Sequence, residues 1–242
     1  MAALVESPQP LSSSVFDKLV SDIVAGRYLP GTRLPAERDL ARVLGASRPT
    51  LREALRRLGE WGMIEARRSS GVVVRERREW TFDVLPAYMR FGAPIKGVDA
   101  IVRLLKDLLE TRRLVYVNVL RMVAPRISPG SLGAARAALT RAWAARQDTA
   151  AFLHEDFELV RSITEAAEFL PALWMLNSLA GTYLEFGRTM MGSPSLVADD
   201  YVTTYEVVFS ALEQNDADAA CKAMARYLEL YDQRILSAFS IV

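Results

Sequence analysis

The sequence predicts a mainly α protein in two parts: an N-terminal winged helix-turn-helix with a small β-hairpin wing, and a C-terminal antiparallel all-α helical bundle. Three observations carry this reading. Residues 34–71 run as a helix, a tight turn, a basic helix and a short hairpin. From Val98 onward apolar residues recur at helical spacing, with no competing strand-type alternation. Residues 33–78 hold 12 Arg against 6 Asp or Glu, a balance of +6, so the remainder of a chain of net charge +1 carries −5. A basic part joined to an acidic one implies that only the first meets phosphate.

Residues 1–11 are polar, with two prolines, and read as a loose arm. Ser12–Ser14 can cap a helix whose apolar positions are Val15, Phe16, Leu19, Val20, Ile23 and Val24, with Gly26 ending it. Pro30-Gly31 punctuates the turn that follows. A second helix covers Ala36–Leu44, with Leu40, Val43 and Leu44 facing inward, and Gly45 stops it. Ser47 caps a third helix, Arg48–Trp61, closed by Gly62, and Pro49 sits in its first turn, where a missing N–H costs little. Leu51, Ala54, Leu55 and Leu58 form its apolar stripe, and Arg48, Arg52 and Arg56 fall on the opposite face. Met63–Ala66 and Val72–Arg75 pair as strands around Arg67-Arg68-Ser69-Ser70-Gly71, the wing. This first domain spans 1–75.

Residues 76–97 read as a charged and aromatic linker, with one short helix around Phe82–Met89. The all-helical domain covers 98–242. Ile101, Leu104, Leu105, Leu108, Leu109, Arg112, Val115, Val119 and Met122 trace one long amphipathic helix. Further helices are expected at 131–146, 149–166, 170–191, 196–214 and 216–238. They are separated by Pro129-Gly130, Gln147-Asp148, Gly192-Ser-Pro and Asn215-Asp216.

A helix that enters the major groove needs Arg for phosphate oxygens and for guanine O6 and N7. Arg48 and Arg52 lie near the start of the basic helix, with Ser47 and Thr50 as short hydrogen-bonding neighbours. Arg48 is expected to read a base and Arg52 to meet a phosphate. Arg38 opens the preceding helix, and Arg67, Arg68, Ser70 and Gly71 sit where a wing reaches the adjacent groove. The turn, the cap, the apolar stripe and the wing agree with one another, which a merely solvated basic helix would not require. Pro30-Gly-Thr-Arg-Leu-Pro-Ala-Glu-Arg38, Ser47-Arg-Pro-Thr-Leu-Arg-Glu-Ala-Leu and Gly62-Met-Ile-Glu resemble the GntR family of bacterial transcription regulators over residues 14–75. The resemblance implies that Arg38, Arg48, Thr50 and Arg52 contact double-stranded operator DNA, from a homodimer facing a pseudo-palindromic site. The family wing usually carries a glycine where this chain has Ser69.

An acidic helical bundle behind such a reader is most simply a ligand-sensing and dimerising module. Its candidate polar groups on apolar helix faces are Arg112, Glu158, Asn177, Tyr183, Arg188, Tyr205, Tyr227 and Tyr231. Each also suits a packing role, since Tyr at helical spacing is commonly a core residue with its hydroxyl at the rim. This half resembles the FadR subfamily of GntR regulators. Most members are implied to bind a divalent metal through Asp-x-x-Phe-His and one His in each of the last two helices. Here His154 takes the Asp position, Phe157 matches, Glu158 takes the first His position, and Tyr205 and Tyr227 take the others. With one histidine in the chain, a three-His site is impossible. Tyrosine ligates only after losing a proton of pKa near ~10. No metal is therefore expected.

Asn177-Ser-Leu-Ala-Gly181-Thr-Tyr183-Leu-Glu-Phe-Gly187-Arg188, Leu108-Leu-Glu-Thr-Arg112 and Arg226-Tyr227 are similar to the metal-free, fatty-acid-responsive branch. That resemblance implies an acyl-CoA effector, with Arg112, Arg226 and Tyr227 at ligand positions and Tyr231 or Ile235 in place of a tryptophan. Leu228 stands where the branch has glycine. Another apolar acid, a small organic acid with or without metal, and a ligand-independent dimer stay open. Effector binding is expected to reorient the readers through residues 76–97.

Other classes are disfavoured. There is no Ser or Cys paired with His and a spare acid, no Gly-rich phosphate loop and no cofactor lysine motif, so an enzyme is not expected. No apolar run is long enough to span a bilayer, no signal pattern opens the chain, and Cys221 has no disulfide partner. The expectation is a cytoplasmic protein.

Overall fold

Val15, Phe16, Leu19, Val20, Ile23 and Val24 recur at steps that return to one side of a helix, and all six are buried in α1 (Leu11–Val24). The computed structural model describes residues 11–68, 71–189 and 197–240. The chain divides into two units, Met1–Val98 and Asp99–Val242. The expected N-terminal arm lies outside the described residues except for Leu11, which is already helical. Ser12–Ser14 therefore stand inside the first turn of α1 rather than ahead of it as caps.

In the first unit, α2 (Glu37–Leu44) ends at Gly45 and α3 (Arg48–Glu60) starts at Ser47. The Thr50 amide donates to Ser47 Oγ over 3.2 Å, so the cap satisfies one of the amides a helix start leaves unpaired. Leu51, Ala54, Leu55 and Leu58 bury the inner face of α3 against α1, where the Phe16 and Trp61 rings meet edge to face at 4.7 Å. Val43 departs from expectation. It is 75% exposed, because Leu40, Ala41 and Leu44 define the inward arc of this short helix and Val43 falls beside it.

The wing is an antiparallel pair, β1 (Ile64–Arg67) and β2 (Gly71–Val74), in register Ile64↔Val74 through Arg67↔Gly71. Residues 31–34 line its other edge: the Leu34 amide donates to Val72 O at 2.9 Å and the Val74 amide to Thr32 O at 2.9 Å. Gly62 holds the turn from α3 into the hairpin at φ +69, and a Cβ there would lie 2.6 Å from the Glu79 carbonyl oxygen.

Residues 76–97 form more structure than a linker. Single 3-10 turns at Arg77–Glu79 and Phe82–Val84 lead into α4 (Leu85–Lys96), which packs on α1. Val84 is buried in the same core, with Ala87, Tyr88 and Phe91 packed against it. Their spacing provides the apolar face that fastens this segment to the first unit. Gly62 and Trp61 receive it, the latter accepting the Thr81 amide at its carbonyl over 2.9 Å.

The second unit is all helical among its described residues: α5 (Val98–Val123), α6 (Gly133–Ala144), α7 (Thr149–Ala166), α8 (Leu170–Thr189), α9 (Tyr201–Glu213) and α10 (Ala217–Ser240). The expected stripe on α5 is shifted at its C-terminal half. Val115 and Met122 are exposed, and the buried line instead passes through Ile101, Leu105, Leu109, Val119, Leu120 and Val123, with Tyr116 half-buried beside it. Ala135, Ala138 and Ala142 let α6 lie close to α7. Asp148 caps α7 by accepting the Ala151 amide at 3.0 Å. Asp216 accepts the Ala219 amide at 2.9 Å where α10 begins, after Asn215 at φ +57. α9 starts at Tyr201, later than expected, and the Gly192-Ser-Pro separator lies outside the described residues. α5 is joined to α10 by Arg121–Asp218 at 2.6 Å and by the Cys221 thiol on the Val117 carbonyl at 3.3 Å. No described helix is long and apolar enough to cross a membrane.

Candidate nucleic-acid interface and effector site

The expected DNA-reading face lies on α3. Its buried stripe fixes the rotation of the helix, which leaves Arg48, Arg52 and Arg56 exposed on the other side. Ser47 Oγ and Thr50 Oγ1 share a hydrogen bond of 2.7 Å, so these two hydroxyls are held at the helix start as a pair. The arginines differ in their commitments. Arg48 has no carboxylate partner among the described residues, whereas Arg52 Nε lies 2.9 Å from Glu37 Oε2 across α2 and α3. The hydrogen bond from Arg52 to Glu37 raises the pKa of the guanidinium above its ordinary value. Arg56 is clasped between Glu53 and Glu60 on its own helix. Arg38 is exposed at the start of α2, 3.9 Å from Asp39. On the wing, Arg67 pairs with Glu65 at 2.5 Å, Arg68 is exposed, and Gly71 opens β2. Ser70 lies outside the described residues.

The second unit encloses a different chemistry. Residues four apart share a helix face, so α5 presents Arg112 with Tyr116, α9 presents Tyr201 with Tyr205, and α10 presents Tyr227 with Tyr231. These faces converge on Asp156 of α7. Its carboxylate accepts from the hydroxyls of Tyr183 at 2.9 Å, Tyr201 at 2.9 Å and Tyr205 at 3.4 Å, and the Tyr205 and Tyr116 hydroxyls share a hydrogen bond of 3.1 Å. Burial lifts the Asp156 carboxyl above the usual carboxylate range, against the opposing pull of the tyrosine hydrogen bonds and of Arg112. Burial likewise drives Tyr116, Tyr183, Tyr201, Tyr205 and Tyr227 upward, and Tyr231 up to about 12, so the phenols are neutral donors.

Beside this hub, Arg112 Nη2 donates to Asp232 Oδ1 at 2.6 Å, Arg113 lies 3.5 Å from Asp232 Oδ2, and the Arg112 guanidinium lies over the Tyr231 ring at 5.2 Å. Burial opposes the Arg112 charge, but Asp232 and the other surrounding groups outweigh it and raise the guanidinium pKa. Arg112 Nε and Asp232 Oδ2 are buried with no hydrogen-bond partner among the described residues. Tyr227 and Tyr231 stack at 5.9 Å. A buried donor and a buried acceptor without partners are each costly.

Of the candidates read from sequence, Arg112, Tyr183, Tyr205, Tyr227 and Tyr231 come together here. Asn177 and Arg226 are exposed, and Glu158 is tied to Arg161 at 3.4 Å; among the described residues no hydrogen bond or ion pair joins these three to the hub. The Arg188 side chain lies outside the described residues. Asp156, Tyr116, Tyr201 and Asp232 were not legible as site residues. The i, i+4 repeat of Tyr201 with Tyr205 is the signal that could have found one of them. Asp156 was hidden because the metal pattern, laid on the same turn, points to His154 and Glu158 on either side.

The metal that the pattern implies does not fit these residues. His154 is exposed, Glu158 has a cationic partner, and Tyr205 and Tyr227 hold their protons more tightly than ordinary tyrosines. Among the described residues no three His, Cys, Asp or Glu are grouped as metal ligands would be.

Family models match both units. Residues 11–74 match the bacterial regulatory proteins of the gntR family, and residues 107–230 match the FCD domain. The galactonate operon transcriptional repressor of Escherichia coli is 31% identical over 211 residues, covering 85% of this chain and 88% of that protein.

The chain belongs to the GntR family.

Its FCD domain makes it a bacterial GntR regulator with an effector-binding module, and its family and relatives are transcriptional regulators rather than enzymes. The Mycobacterium tuberculosis regulator Mce2R is 26% identical over 98% of this chain and 96% of that one. The fatty acid metabolism regulator protein of Pectobacterium carotovorum is 28% identical over 73% of this chain and 70% of that one. The solved structure of Lar, which controls the agr system of Listeria monocytogenes, superposes with a TM-score of 0.61 at 16% identity, covering 98% of this chain and 100% of that one, and shares the GntR fold.

Proposed function

We propose that this GntR regulator binds its operator in the cytoplasm as a homodimer, and that a fatty acyl-CoA or similar apolar acid held in the FCD domain sets its operator affinity. The observation that carries the ligand reading is the buried Arg112 Nε, partnerless among the described residues, beside the stacked Tyr227 and Tyr231 rings. A buried donor without an acceptor, set among aromatic rings, suits a carbonyl or carboxylate oxygen at the end of an apolar body. Likeness to a fatty acid metabolism regulator supports the acyl chain. For DNA, Arg38, Ser47, Arg48, Thr50, Arg52, Arg67, Arg68, Ser70 and Gly71 form the contact set. Phosphate neutralisation supplies salt-dependent affinity and Arg48 supplies base choice. Arg112, Tyr183, Tyr205, Tyr227 and Tyr231 form the ligand set. The effector acts by preferring one of two dimer states, DNA-competent or not.

A second reading is a small hydroxy acid. It is favoured by the galactonate operon repressor and by the putative L-lactate dehydrogenase operon regulatory protein of Escherichia coli, 27% identical over 93% of this chain.

Fluorescence anisotropy on DNA from the upstream region of the chain's own gene tests both. Long-chain acyl-CoA is expected to change operator affinity at fixed salt while free CoA does not, and Arg112→Gln is expected to abolish the response. A response to galactonate or lactate alone replaces the acyl reading. No response to any of these, with DNA binding intact, replaces sensing with a ligand-independent dimer. Prior chelation with EDTA is expected to leave every response unchanged, and its loss would restore the metal.

A further inference from the structure

Arg33 lies outside the contact set described above, yet its place in the wing is specific. Gly71 has φ +74, and a Cβ there would stand 2.8 Å from Arg33 Nε, 3.0 Å from Nη2 and 3.2 Å from Cζ. The Arg33 backbone is bridged to Val73, two residues further along β2. Gly71 is the register partner of Arg67, at the loop end of the hairpin. The Arg33 side chain thus runs along β2 from Val73 toward the loop end of the wing. Its guanidinium occupies the space where any other residue at 71 would place a side chain.

Commitment separates Arg33 from its neighbours. Arg52 is paired with Glu37, Arg67 with Glu65, and Arg56 with Glu53 and Glu60. Arg33 is exposed and has no carboxylate within ion-pair distance among the described residues. A cation already paired with an acid must exchange that pair for a phosphate, and gains less by it. Arg33 has nothing to exchange.

We propose that Arg33 is a phosphate-contacting residue of the wing, seated against Gly71, which adds one backbone contact to the DNA complex. The proposal rests on the DNA-binding reading of the N-terminal unit. Contact with phosphate carries no sequence information, so it is read in the salt dependence of binding to any duplex.

The full chain is titrated by anisotropy against a mixed-sequence DNA duplex over a salt series, as wild type, Arg33→Gln, Arg33→Lys and Arg48→Ala. Arg33→Gln is expected to bind more weakly, with a slope of log K against log salt shallower by about 0.9, while Arg33→Lys keeps the wild-type slope. Thermal midpoints of both Arg33 variants are expected to match wild type. A wild-type slope in Arg33→Gln overturns the proposal, whether or not affinity falls, because a residue that only shapes the wing releases no counterion. If Arg48→Ala weakens binding and Arg33→Gln does not, Arg33 is excluded and the DNA-binding reading stands. If the wild type shows no salt-dependent binding, the DNA-binding reading fails and Arg33 falls with it.

Discussion

A carboxylate fed by three phenols is an unusual way to fill the middle of a helical bundle, and it makes a statement about pH. Burial lifts Asp156, so the folded chain holds that proton more tightly than the unfolded chain does. The stability contributed by this group is complete below the unfolded value, about 4, and is lost as pH rises through the higher folded value. Asp156→Asn keeps an oxygen for the tyrosine hydroxyls and removes the charge. The expected outcome is a higher thermal midpoint than wild type near neutral pH, shrinking toward acid pH, in melts followed by far-UV circular dichroism. A midpoint that falls at neutral pH would mean that the ionised carboxylate holds the hub together. On the DNA side, Arg48→Ala is expected to cost ~1–3 kcal/mol of preference for the operator over random DNA. An unchanged ratio would move base reading to another residue. The residues that sequence reading found in the bundle were those with a strong local signal, Arg112 on an apolar stripe and tyrosines at helical spacing. Asp156 and Asp232 look like ordinary helix-surface acids until tertiary packing turns them inward.

At the scale of elements, local chemistry was decisive where a single residue controls a boundary. Ser47 before Arg48-Pro49 and Gly62 after Trp61 delimit α3 because a cap and a left-handed turn depend on near neighbours alone. Gly62 carries a further constraint that only the fold reveals, the Glu79 carbonyl 2.6 Å from where a Cβ would stand. Gly62→Ala is therefore expected to destabilise the protein by more than the ~1 kcal/mol of an ordinary left-handed glycine. Urea unfolding followed by Trp61 and Trp80 fluorescence measures it. A loss within ~1 kcal/mol would show that the 77–79 turn moves aside at little cost. Periodicity was a weaker guide. On α5 it marked the right helix but too wide a stripe, because Val115 and Met122 are apolar without facing the interior. Val43 misled for the same reason. Hydrophobicity says which residues can be buried, and helix rotation decides which are.

For the whole molecule, the division of charge read from sequence matches a division of labour: a basic winged-helix unit and an acidic FCD unit. What sequence did not disclose is where the first unit stops. Charge and prolines made 76–97 look like a connector, yet Val84 belongs to the core under α1, with Tyr88 and Phe91 packed against it. A fragment ending at Arg75 is expected to melt at a lower temperature than one ending at Val98 and to bind a hydrophobic dye. Equal melting of the two would show that α4 adds nothing to stability.

The cover that α4 places on α1 also bears on how such proteins are assembled over generations. If GntR regulators diversify by exchanging the sensing half, the crossover cannot fall directly after the wing. A cut there would hand the recipient a DNA reader with an uncovered apolar side. A viable seam lies beyond α4, near Gly97, so the segment most easily mistaken for a joint would be inherited with the reader and not with the sensor.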